Sequence, residues 1–162
     1  LDRGIVVDRR YVPVDCQDVA KCTQVVQAAA GETFEVRLTL IAPHDLYYVV
    51  LEDPIPAGCE AINAELATES VTSLLPSLSR ESGRSPWFFG WWWRWYSRSE
   101  IRDEKVVLFA DYLPAGTYSY VYAVRAVQPG QYKVLPASAH EFYFPEVFGR
   151  SAGGGFTVLP AE

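Results

Sequence analysis

The chain has 162 residues, 49% hydrophobic and 14% aromatic, with a formal net charge of -6. That apolar content excludes a disordered chain, the acidic balance argues against a nucleic-acid footprint, and the length suits one domain that buries about 70% of its extended surface. No apolar run approaches the roughly 18 residues of a membrane-spanning helix, and Met is absent even from position 1, so residues 1–162 read as a single domain excised from a longer protein.

Residues 4–13 and 34–41 alternate as half-buried antiparallel strands do. In the second, Phe34, Val36, Leu38 and Leu40 face one way and Glu35, Arg37 and Thr39 the other. Between the two strands, Cys16 and Cys22 stand in a polar stretch. A disulfide there would close a short loop, contribute on the order of 2 kcal/mol and imply an oxidising compartment; two reduced surface thiols are the alternative. Residues 46–51 form a continuous apolar strand that ends in the proline-stiffened turn 52–58. Cys59 has no third partner and reads as a buried, unreactive thiol.

The strand pattern breaks over residues 67–96, a long irregular loop in which Leu74, Leu75 and Leu78 allow one short helical turn. Its end holds every tryptophan of the chain in an aromatic block without a period, which therefore cannot all face one core. Three readings stand. The block is partly buried, with Trp95 and Tyr96 starting a strand. Or Trp87, Phe88, Phe89, Trp91, Trp92, Trp93 and Tyr96 form an interaction surface for another domain or partner. Or the block meets a membrane or a stacked sugar, with Arg94 and Arg98 as nearby cations.

Residues 98–105 mix charge signs like a solvated sheet edge. The run 106–110 reads as a strand stopped by Asp111, Pro114 and Gly116. From Tyr118 a central strand follows, with Tyr118, Tyr120, Tyr122, Val124 and Ala126 on one face. The spacing LPAGTY over 113–118 is that of a tyrosine corner, in which Tyr118 bonds backbone just upstream; a Tyr that merely starts a strand is the plainer reading. Pro129 and Gly130 turn the chain into a strand at 131–135, and a final strand lies at 156–159. The grammar is all-β, an antiparallel Greek-key β-sandwich of immunoglobulin-like type.

No convergent chemistry emerges. His44 and His140 read as turn or edge residues, and there is no G-x-S-x-G elbow. Glu52 with Asp53, and Asp103 with Glu104, are neighbours that a strand points to opposite faces. Gly153, Gly154 and Gly155 lack the Lys-Ser/Thr of a phosphate loop, and three cysteines with two distant histidines make no zinc set. No catalytic residue, cofactor or metal is expected.

Five segments in order, RGIVVDRRY (3–11), DPIPAGCE (53–60), IRDEKVVLFAD (101–111), LPAGTY (113–118) and FYFPEVFGRS (142–151), resemble the C-terminal macroglobulin-type domain of bacterial alpha-2-macroglobulins. The resemblance covers most of the chain. It implies a non-catalytic module of a protease-trapping protein, packed near a thioester domain that it shields or positions. It further implies neighbouring domains of the parent chain as partners, proteases met through the parent, and a periplasmic or extracytoplasmic location. Membrane contact would come only through a parent's lipid anchor or the aromatic loop. The thioester needs Cys-x-x-Gln, and Cys16, Cys22 and Cys59 all lack Gln at the third following position. Cys59 also departs from the family, which usually carries a bulky apolar residue there, and the 16–22 stretch and the aromatic block are longer than its common pattern. A carbohydrate-binding or adhesion sandwich using the tryptophan loop is the alternative.

Overall fold

The computed structural model describes residues 2–16, 18, 21–62, 79–80 and 95–161, and every helix-or-strand element among them is a strand. The chain runs through β1 (Asp2–Arg3), β2 (Val6–Pro13), β3 (Gln27–Ala29), β4 (Thr33–Ala42), β5 (Leu46–Pro54) and β6 (Cys59–Ala61). It continues through β7 (Ser79–Arg80), β8 (Arg98–Ile101), β9 (Lys105–Leu113) and β10 (Gly116–Ala126). It ends with β11 (Gly130–Val134), β12 (Ser138–Glu141), β13 (Phe148–Arg150) and β14 (Gly154–Leu159).

Two larger sheets enclose one core. The first has the order β1-β13-β12-β5-β9-β8, the second β2-β4-β10-β6, with β7 also paired to β10. All their strand pairs are antiparallel. The chain crosses between these two sheets at β1 to β2, β4 to β5, β5 to β6, β7 to β8 and β9 to β10. A third sheet, β11-β14-β3, includes a parallel pair, β14 with β3. It joins the core through Phe156, which stacks on Phe34 at 4.9 Å and meets the edge of Tyr11.

Alternation sets the register. Along β4, Phe34, Val36, Leu38, Leu40 and Ala42 are all buried, and four inward residues of β10 lie opposite members of that row: Tyr118 to Leu40, Tyr120 to Leu38, Tyr122 to Val36, Val124 to Phe34. A slip of either strand by one residue would turn its row outward, so burial holds the pairing in place.

Several elements run past their expected ends. Asp111, expected to stop a strand, lies inside β9, because Leu113 and Leu46 form a further rung and both are fully buried. The strand expected at 46–51 continues to Pro54, drawn on by the buried Asp53. His140, expected at a turn or an edge, sits on β12 between β5 and β13; pairing on both sides overrides the low strand propensity of SAHE. Tyr96 corrects the interaction-surface expectation: it is 7% exposed and meets the Tyr120 ring edge-on at 5.5 Å, since it and Trp95 complete the core beneath β10. Trp95 Nε1 donates to Ser119 O at 2.9 Å. Trp87, Phe88, Phe89, Trp91, Trp92, Trp93 and the leucines at 74, 75 and 78 lie outside the described residues.

Two tyrosines brace the turns that enter strands. The Tyr118 hydroxyl donates to Pro114 O at 2.5 Å, and the Tyr132 hydroxyl to Gln128 O at 3.0 Å. Each bond reaches back four residues across a glycine, so PAGTY and QPGQY build one device twice. Close approach explains Gly58: a Cβ there would lie 2.1 Å from the Tyr132 ring.

Candidate functional site

One end of the first sheet carries an aromatic tip. Tyr47 and Tyr48 open β5, Tyr112 lies near the end of β9, and Phe142, Tyr143 and Phe144 follow β12; all six are exposed. Exposed aromatics gathered into one patch on an acidic domain mark a contact surface more often than a lone exposed ring does.

The backbone beneath them is shaped for display. Tyr48 has φ 52°, the left-handed region that a bulky residue rarely enters. The β5–β9 ladder accordingly pairs Tyr47 with Tyr112 and Val49 with Ala110 and makes no rung between Tyr48 and Asp111. Two bonds hold the kink: Phe142 N donates to Tyr48 O at 2.8 Å, and Tyr47 N donates to Glu141 Oε1 at 2.8 Å. Such a conformation costs on the order of 1–3 kcal/mol and persists where neighbours over-determine it, often at functional sites. Here it turns both Tyr47 and Tyr48 outward.

The rings then organise one another. Tyr143 meets Tyr48 edge-on at 5.2 Å and Phe142 at 5.3 Å, and Tyr47 lies 5.1 Å from Tyr112. The Tyr112 hydroxyl donates to Asp45 Oδ2 at 2.9 Å, and Ala115 N donates to Asp45 Oδ1 at 2.9 Å. The Ala115 N–H, followed by the Tyr112 hydroxyl, holds the Asp45 carboxyl below its ordinary range, and the same Asp45 bond raises the Tyr112 phenol. Between the rings lies a groove of about 190 Å³ lined by Tyr48, Val50, Phe109, Phe142, Tyr143 and Asp111, with Val49 and Ala110 beneath.

A second feature is structural. Arg9 Nη1 donates to Asp53 Oδ1 at 2.6 Å and the Tyr122 hydroxyl to Asp53 Oδ2 at 2.6 Å, tying β2, β5 and β10 across the two sheets. The Arg9 and Asp53 side chains are 4% and 1% exposed. Burial pushes the Asp53 carboxyl up, while Arg9 and Tyr122 pull it back. The signal was present in the alternation: Val7, Arg9 and Tyr11 share a face, so an inward Arg required a buried carboxylate.

The remaining cysteines fall into two kinds. Cys16 and Cys22 form a disulfide, and Arg37 Nη2 anchors its loop by donating to Cys16 O at 2.6 Å. Cys59 is a free, buried thiol whose pKa burial pushes up to about 11, which keeps it protonated near neutrality. Among the described residues no three His, Cys, Asp or Glu gather as a metal site.

The family model of the bacterial alpha-2-macroglobulin MG10 domain matches residues 4–146. The chain belongs to that family. This MG10 domain is 28% identical over 155 residues to an alpha-2-macroglobulin homolog of Nostoc sp., covering 92% of the chain and 7% of the relative. Its fold matches alpha-2-macroglobulin of Salmonella reacted with methylamine, with a TM-score of 0.72, 24% identity and coverage of 99% of the chain and 9% of the other. It also matches the trypsin-activated protein from Escherichia coli, with a TM-score of 0.74, 20% identity and coverage of 99% and 11%. The domain thus spans about a tenth of the length of these proteins.

The aromatic tip of the MG10 domain was only half legible. Phe142, Tyr143 and Phe144 stand as three successive aromatics before Pro145, a loop signal in plain view. Tyr47 and Tyr48 read as strand residues and Tyr112 fell beyond the expected strand end at Asp111; only the left-handed Tyr48 turns them into a cluster.

Proposed function

We propose that this MG10 domain is a non-catalytic interaction module of a protease-inhibiting, extracytoplasmic alpha-2-macroglobulin, and that its aromatic tip packs against a neighbouring domain, the thioester domain foremost. The observation that carries the reading is the kinked, hydrogen-bonded display of six exposed rings at one end of a sandwich, since buried aromatics dominate interface energetics. The Salmonella relative reacted with methylamine and the Escherichia coli one activated by trypsin support a parent with amine-reactive, protease-triggered chemistry. This chain has no Cys-x-x-Gln, so the reactive group would belong to another domain. The Cys16–Cys22 disulfide supports an oxidising compartment. By sequence, Trp87, Phe88, Phe89 and Trp91 to Trp93 extend the same role.

The test is a double substitution, Phe142→Ser with Tyr143→Ser. Exposed residues carry little folding energy, so Tm should stay within about 2 °C. Association with a separately produced thioester domain should weaken by at least about tenfold. Unchanged association would overturn the reading.

A further inference from the structure

The groove at the aromatic tip has the dimensions of one side chain. Its volume of about 190 Å³ falls below the roughly 300 Å³ at which small-molecule pockets begin. It exceeds the roughly 150 Å³ that encloses a benzene ring. Its walls are aromatic and aliphatic: Tyr48, Phe142, Tyr143, Val50 and Phe109. A polar ligand would find almost nothing to bond.

The exception is Asp111. Its amide donates to Ser97 Oγ, but its exposed carboxylate has no hydrogen bond or ion pair among the described residues. Arg98, opposite Phe109 in the β8–β9 pairing, does not neutralise it, because it lies over the Phe109 ring and is paired with Glu100. The groove therefore combines an apolar seat with an unanswered negative charge at its wall.

We infer that this groove receives one large apolar side chain, aliphatic or aromatic, flanked by a lysine or arginine on a neighbouring domain of the parent protein. The inference rests on the domain-contact reading above and names what the tip would read. A second copy of this chain fits poorly, since Asp45, Asp111 and Glu146 would bring like charges together on a domain of net charge -6. A much longer parent, like the Nostoc relative of which this domain covers 7%, would offer other partners in cis.

The groove can be probed in the 162-residue chain by amide NMR with three small molecules: 3-phenylpropylammonium, 3-phenylpropionate and propylammonium. The first should give saturable shifts at Val49, Val50, Ala110, Asp111 and Tyr143, with a Kd on the order of 5 mM for a ten-atom probe. The carboxylate analogue should bind about fivefold more weakly, and propylammonium should not saturate. Asp111→Asn should remove the preference for the ammonium probe and leave Tm unchanged. Scattered shifts, or equal binding of the two phenyl probes to the native chain, would overturn the inference. That failure differs from failure of the domain contact, in which Phe142→Ser with Tyr143→Ser leaves association intact while the groove of the native chain still takes the probe.

Discussion

Single residues set the chemistry of the tip and the stability of the core. Asp45 and Tyr112 form a couple whose two pKa shifts bound a pH window. The Asp45 value is lowered from 3.8, so its stabilisation is present above that pH and is lost as pH falls through the folded value. Tyr112 is raised from 10.0, so its contribution is present below that pH and disappears as pH rises through the folded value. Ultraviolet titration should show Tyr112 ionising above 10.0, and Asp45→Asn should bring it back toward that value; an unmoved phenol would mean the bond does not form in solution. In the core, Arg9→Met alone leaves Asp53 buried without its cation and should cost about 3–5 kcal/mol in urea unfolding. Adding Asp53→Leu should recover much of that loss, because a buried pair is weak net stabilisation while a lone buried charge is costly. Full additivity of the two losses would contradict the pairing.

Elements are joined by braces that the strand pattern alone does not supply. The Cys16–Cys22 bridge closes a loop with a sequence separation of 6, for which chain entropy gives about 2 kcal/mol. Replacing both cysteines with Ser should therefore lower Tm by about 4–8 °C, and no change in a thermal melt would mean that the Arg37 contact carries the loop unaided. The repeated tyrosine device acts at the entrances to β10 and β11. Tyr118→Phe orphans the Pro114 carbonyl and should cost about 1–2 kcal/mol, a loss that denaturant titration resolves. Gly58→Ala should be more damaging than its single methyl suggests, since the new Cβ would meet both the Tyr132 ring and, at 2.8 Å, Gln128 O.

At the scale of the molecule, two sheets share a core with a third attached through Phe156, and the aromatic tip stands at one end of the first sheet. By itself the domain should neither cleave nor inhibit a protease; inhibition by the isolated chain in a peptidase assay would contradict its role as a module. The alternation of β4 and β10, the turn residues and LPAGTY were sufficient for an antiparallel sandwich, because period-2 burial and turn chemistry are local properties of the chain. Local pattern did not reach the end of β9, where a rung between Leu46 and Leu113, far apart in the chain, outweighs the turn preference of Asp111, nor the end of β5, which the buried Asp53 carries on to Pro54. Nor did it separate Tyr96 from its aromatic neighbours, since only packing against Tyr120 removes that ring from the surface. The sequence alone determined the fold class, the family resemblance and the alternating faces of β4 and β10. The tertiary structure decided the Arg9–Asp53–Tyr122 tie, the left-handed Tyr48 and the groove beside it, because each depends on side chains brought together from strands that only folding makes neighbours.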